Sequence, residues 1–410
     1  MRIPFASLIL STLLLSTASG SEWPQWRGPS RDGVADPSQL PKSWPRQLAR
    51  KWGMKVGQGH ASPVVVDGRV FQFSRQGRRE VVRGIDLAAG EELWKSEYSA
   101  PYKIEPVARD HGAGPKATPV VVGKRLVTFG ISGIVSCWNT STGKRLWSHE
   151  FSQQHRLTSP LYGHAASPIV VGTRVILHVG GHDDGALLGI DVESGRIDWK
   201  WTDDGPAYAS PVLVAVGGRK HVVTQSQKFH LGVDPASGDI LWKVPFTTQY
   251  DQNSVTPLAI GNRVLLGGYN QPTVLMSLES RGQALRARKT WSSRETAMYM
   301  SSPVRVGKHV YGMTQRRRGA LFCLDEDSGK VAWMTPGRLA ENAALIAAGR
   351  TLFVLTTDGL LRIVAGDPAS YQELARYKVS DTPTWAHPAL VGATLLVKNA
   401  EHLLAYHLGG

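Results

Sequence analysis

ASPVVVDGRV (61–70) and IDLAAGEELW (85–94) are two halves of one unit, and the recurrence of that unit decides the fold. The first half is a Ser-Pro step, a β-branched run, a Gly turn carrying a cation, and a second apolar run. It returns as ATPVVVGKRL (117–126), ASPIVVGTRV (166–175), ASPVLVAVGG (209–218), VTPLAIGNRV (255–264) and SSPVRVGKHV (301–310). Looser copies are AALIAAGRTL (343–352) and HPALVGATLL (387–396). The Pro falls at 63, 119, 168, 211, 257, 303 and 388, and Ala344 takes the remaining slot. Pro suits the first residue of a strand, whose N–H need not join the ladder.

The second half returns as WNTSTGKRLW (138–147), IDVESGRIDW (190–199), VDPASGDILW (233–242) and LDEDSGKVAW (324–333). In these five copies Gly follows Asp or Asn by four residues, and Trp follows Gly by four. Asp86, Asn139, Asp191, Asp234 and Asp325 can accept the N–H groups of a tight turn. The Gly permits the positive φ of the reversal. The Trp opens an outer strand and packs it on its neighbour.

Each unit is therefore four short antiparallel strands, A to D, and the chain reads as an all-β, eight-bladed β-propeller. Strand-D Trp residues are Trp94, Trp147, Trp199, Trp242, Trp291 and Trp333, and the seventh copy has none. The eighth copy ends after Ala405–Leu408 with no strand D. Trp52, in LARKWGMKV just before the first Ser-Pro, has the matching context, so residues 48–56 are expected to close the ring as its fourth strand. One strand-C slot asks for a small side chain: Gly84, Cys137, Gly189, Gly232, Ser277, Cys323 and Ala405 align there. The two Cys lie in opposed blades. A disulfide needs Cα atoms within about 7 Å, so both are expected as free, buried thiols.

The residues before the ring read as an address and a lead-in. Arg2, an apolar stretch from Phe5 to Leu15, and small residues at Ala18 and Gly20 predict a signal peptide over 1–20, cleaved near Gly20. Position 21 is Ser, so no lipidated Cys follows. Residues 21–47 form a lead-in segment and 48–410 the propeller. The expected product is periplasmic or secreted, without a membrane span, and monomeric.

The Ser-Pro-Val-Val start, the Asp-x-x-x-Gly turn and the strand-end Trp resemble the pyrroloquinoline quinone (PQQ)-like propeller repeat, over residues 48–408. WPQWRGPSRDG (23–33) looks like the lead-in of secreted bacterial members. That group includes quinoprotein alcohol dehydrogenases and the non-enzymatic BamB-like propellers. The resemblance implies that Trp52, Trp94, Trp147, Trp199, Trp242, Trp291 and Trp333 dock blades. It also implies two activities: partner binding through loops, or oxidation with PQQ and Ca²⁺. The adjacent Cys-Cys pair typical of the dehydrogenases is missing, and no motif places their catalytic Asp or Ca²⁺ ligands.

Strand direction puts the tight A–B and C–D turns on one face and the chemically richer D–A and B–C loops on the other. A site is expected on the latter, around the central channel. His60, Lys116, His164, Tyr208, Asn253, Tyr299 and Trp385 precede the A strands there, and such a ring can hold a planar anionic ligand by stacking and charge. PQQ is one such ligand; a unit of an extended polymer is another. No nucleophile elbow, Walker loop or His-Glu-x-x-His motif is present. The net charge of +14 in an exported chain points to a protein or anionic polymer partner rather than to nucleic acid. The reading is a binding scaffold, with a PQQ- and Ca²⁺-dependent oxidoreductase as the alternative.

Overall fold

The computed structural model describes residues 22–155, 160–282 and 284–409. The segment read as a signal peptide, with its cleavage position, lies outside them. Eight antiparallel four-stranded sheets form the ring. Blade one is Val64–Val66, Arg69–Gln76, Arg79–Asp86 and Glu92–Ser99. Blades two to seven occupy 120–150, 169–201, 212–245, 258–293, 304–334 and 343–378. Blade eight is Ala389–Val391, Thr394–Lys398 and His402–His407, completed by the N-terminal strand Ala49–Lys55. Trp52 pairs with Ala405, which is the closure the sequence predicts.

The docking rule is geometric. Trp94 donates its Nε1–H to the carbonyl of Thr140 (2.9 Å), the residue after the turn Asn of blade two. Trp147 does the same to Val192 of blade three, at 2.9 Å. Trp52, Trp199, Trp291 and Trp333 reach Leu87, Pro235, Glu326 and Asp367. Five of these indoles, all but Trp333, also cover the turn Gly of the next blade: a Cβ at Gly143 would sit 2.4 Å from the Trp94 ring. Inside its own blade each Trp lies over the small strand-C slot, and a Cβ at Gly84 would fall 2.5 Å from Trp94. That contact is why Gly, Cys or Ala stands there. Both thiols are free and buried, and burial pushes them up, to about 12 for Cys137 and about 11 for Cys323.

Blade five departs from the rule. It has no Asp-x-x-x-Gly turn, and its strands Thr273–Arg281 and Ala284–Ser293 continue as a long hairpin. Trp291 faces Leu275, and Ser277 faces Arg288, so Ser277 is not the equivalent of Gly84. The turn that anchors the alignment elsewhere is missing here, and the count slips by two residues. With no turn carbonyl to reach, Trp242 of blade four keeps a buried, unpartnered Nε1 and packs with Leu278 and Leu285 of the hairpin.

Blade seven carries Ala375, not Trp, at this register. Its neighbour, blade eight, closes with a separate chain segment and has no C–D turn to receive an indole. Residues of the lead-in cover that seam instead: Leu40 and Trp44 join its apolar cluster, and Tyr377 donates its hydroxyl to the Pro45 carbonyl (2.8 Å).

Candidate functional site at the loop face

The inner ends of the blades are tied before any site is formed. The Ser62 N–H donates to Thr118 Oγ1 (3.1 Å), the Thr118 N–H to Ser167 Oγ (2.9 Å), and the Ser167 N–H to Ser210 Oγ (2.9 Å). The Ser/Thr of the Ser/Thr-Pro step thus accepts a bond from the preceding blade, while Pro starts the strand.

The channel inside this ring is filled by the lead-in. Trp23 bridges Val65 of blade one, and Val121 of blade two donates its N–H to the Pro24 carbonyl (2.8 Å). The Arg31 guanidinium donates to the carbonyls of Ser167 (2.9 Å) and Pro168 (2.9 Å) in blade three and Pro211 (2.6 Å) in blade four. Trp26 donates to Thr256 Oγ1 of blade five (2.9 Å), and Arg27 to the Pro303 carbonyl of blade six (2.5 Å). Val34–Ala35 adds a parallel strand to blade seven. The Trp23 ring stacks on His387 of blade eight at 6.4 Å. One short segment therefore touches all eight blades. It leaves beside the A–B turns, with Pro37 against Gly349 and Gln39 against Gly392, and its Trp26 lines the cavity on the opposite, loop side.

Above Trp26 a cavity opens toward the D–A and B–C loops. Counted back from each strand-A Pro, the third residue points into it: His60, Lys116, Ala165, Tyr208, Ser254, Met300 and Trp385. The residue just before Pro faces the same way, deeper, as Ser210, Thr256, Ser302 and His387 do. This is the two-residue alternation of an extended chain. Of the residues singled out from sequence, the structure brings His60, Lys116, Tyr208 and Trp385 together around the cavity. His164, Asn253 and Tyr299 stand one residue further back and are not among the lining residues. The His164 ring is buried, 4.7 Å from Phe129, with Nδ1 at the Ile131 carbonyl (3.2 Å). Asn253 Nδ2 donates to the carbonyls of Ser226 (2.7 Å) and Gln227 (3.1 Å). Tyr299 packs on Tyr269 at 4.8 Å. His111, Tyr162, Gln252 and Asn342 complete the wall from the longer loops, and nothing periodic in the sequence marks them.

The wall is continuous and basic. His60 stacks on Trp385 (6.0 Å, 21°), His111 meets Trp385 edge-on (5.1 Å), and Tyr162 links His111 (5.5 Å) to Tyr208 (5.7 Å). Lys116 Nζ donates to the Tyr162 carbonyl (2.8 Å), and burial lowers its pKa to about 8. Burial, with Lys116 and His111 beside it, holds the His60 imidazole well below its ordinary range, and His111 is lowered for the same reasons. Behind them Lys398, tied to the Asn399 and Ala400 carbonyls, is lowered by burial to about 7. Among the described residues no carboxylate lines the cavity.

The family model described as "Outer membrane protein assembly factor BamB" matches residues 78–335. The chain belongs to that family. The BamB of Yersinia pestis is 24% identical over 398 residues, which is 90% of this chain and 91% of that one. The crystal structure of BamB from Moraxella catarrhalis superposes with a TM-score of 0.64 at 15% identity, over 88% of this chain and 97% of that one. The quinohemoprotein alcohol dehydrogenase of Comamonas testosteroni gives 0.67 at 14% identity, over 97% of this chain and 82% of that one. Among the described residues no helix is long and apolar enough to cross a membrane.

The same geometry tests the cofactor that the fold group implies. Ca²⁺ takes six to eight oxygen ligands, carboxylates among them. The titratable groups here are His, Lys and Tyr, and among the described residues no group of three or more His, Cys, Asp or Glu side chains is placed to hold a metal. His182, Asp183 and Asp251 are spent on each other and on Lys228, with His182 Nδ1 2.8 Å from Asp251 and Lys228 Nζ 2.5 Å from Asp183. The donor set does not fit a Ca²⁺-bridged quinone.

Proposed function

We propose that this BamB-family propeller is an exported, non-catalytic binding protein of the cell envelope that receives a protein or anionic polymer partner at its D–A/B–C face. One observation carries the reading: a cavity toward that face, walled by aromatic rings, His60, His111 and the Lys116 ammonium, with Trp26 at its floor and no carboxylate among its described lining residues. Such a site offers charge and stacking surface to an anion. The relatives named as assembly factors supply the envelope context, and the apolar stretch after Arg2 supplies the export route.

The test is site-specific photo-crosslinking in the native envelope. Val107 and Tyr250, each 57% exposed, carry the probe on the loop face; Leu93 and Leu146, 49% and 40% exposed, carry it on the outer D strands. Adducts with envelope components are expected from the first pair and not from the second. Adducts of equal yield from both pairs would remove the loop face from its role. The oxidoreductase reading keeps one observation in its favour, a basic aromatic wall that suits a planar anion. Purified protein that reduces a dye with an alcohol only when given PQQ and Ca²⁺ would replace the binding reading with it.

A further inference from the structure

We propose that the central cavity binds a single carboxylated sugar unit, the end of an acidic polysaccharide, and this rests on the binding reading above. Three features of the wall converge on that ligand. The first is uncompensated charge. Lys116 stands beside the uncharged His60 and His111 rings with no carboxylate among the described lining residues, and the buried Lys116 ammonium has carbonyl oxygens as its bonding partners. A bound carboxylate supplies the missing countercharge in a setting where charge-assisted bonds are strong.

The second is a pair of unspent amide atoms. Gln252 Oε1 and Asn342 Nδ2 are buried without a hydrogen-bond partner, and both side chains line the cavity. Buried polar groups are normally satisfied. One free acceptor and one free donor match ligand hydroxyls, which do both. The third is shape. The wall is assembled radially from loops of all the blades, and Trp26 stops it from below. A peptide bound as an added strand needs a straight sheet edge; this pit suits a compact ring presenting its C–H face to Trp385. With Trp26 at its floor, the pit takes a chain terminus rather than a threaded chain.

The experiment is isothermal titration calorimetry of the purified full-length chain with trigalacturonate, its neutral galactose counterpart, and a short polyglutamate peptide. Saturable one-to-one binding of trigalacturonate is expected, with the neutral sugar and the peptide each at least tenfold weaker. Lys116→Gln and Asn342→Leu are each expected to weaken trigalacturonate at least tenfold while the melting temperature holds. Two variants are used because Lys116 also ties Tyr162, so its loss alone could act through the fold. The proposal is overturned by no saturable heat, by equal binding of the neutral sugar or the peptide, or by full affinity in both folded variants. Loop-face crosslinks that persist after such a failure would leave the binding reading standing and remove only the sugar.

Discussion

Trp94 and Thr140 are 46 residues apart in sequence and share one hydrogen bond, indole Nε1–H to carbonyl at 2.9 Å, across the seam between blades one and two. The bond repeats at five other seams and is missing where blade five lacks its turn. Trp242 has the same ring in the same strand position, with no acceptor. This pair is a natural control. Trp94→Phe keeps most of the apolar contact and loses the bond, a net of about 1 kcal/mol. Trp242→Phe loses no bond and removes an unpartnered N–H. Chemical denaturation should find Trp94→Phe the less stable of the two by about 1 kcal/mol; equal losses would make the bond irrelevant to the seam.

The turn Gly that receives the indole has two reasons to be Gly, and they separate experimentally. Gly143 has φ +70° and would place a Cβ 2.4 Å from the Trp94 ring. Gly68 has φ +67° with open space around it. Gly68→Ala then carries only the left-handed strain of roughly 1–2 kcal/mol. Gly143→Ala carries that strain and pushes the Trp off its seat. We expect the second to lose at least twice the stability of the first in the same denaturation assay.

The ring was legible from residues 61–94 onward because each blade solves the same problem, and the same residues recur at the same offsets. Even the closure through Trp52 follows from a missing strand and a matching context. Legibility failed where the repeat is broken. Blade five replaced a turn by a hairpin, and Ser277 was aligned two residues away from the true partner, Leu275. The absence of Trp in blade seven had no visible reason until blade eight proved to lack the turn. At the cavity the limit was register. Alternation puts the third residue before each Pro on the channel side, and His164, Asn253 and Tyr299 are the fourth. Trp26 lies beyond periodicity altogether: WPQWRGPSRDG contains Arg and Pro in a pattern typical of a surface turn, yet Arg27 and Arg31 are 0% and 1% exposed. Only the ring of inward carbonyls at the strand-A Pro residues explains two guanidiniums in a channel.

Those carbonyls give a third expectation. Arg31→Met leaves the oxygens of Ser167, Pro168 and Pro211 without their donor in a buried site. At roughly 1 kcal/mol or more each, the loss is on the order of 3 kcal/mol. Because Arg31 alone ties this segment to blades three and four through such bonds, it should loosen before the blades do. Trypsin is expected to leave the buried Arg27 intact in the parent protein and to cut after it in the variant while the propeller stays whole. An uncut Arg27 with unchanged melting would show that Trp23 and Trp26 hold the segment alone.

Buried histidines set the acid limit. His230 is 2% exposed, stacked on Phe246 at 3.8 Å, and burial lowers its pKa to about 3. In the unfolded chain its pKa is near 6.5. A folded-state value below the unfolded one means that the unfolded chain binds the extra proton. The stabilisation is complete above pH 6.5 and is lost as pH falls toward 3, by up to about 1.4 kcal/mol per unit for one site. His164 and His178, both lowered by burial to about 4, act in the same direction. The wild-type denaturation midpoint should therefore fall steeply below pH 6.5. His230→Leu fills the same apolar site without a titrating group. Its stability should be lost with a slope shallower by one proton between pH 6 and pH 4, and parallel slopes for the two proteins would show that His230 is not held neutral in the fold.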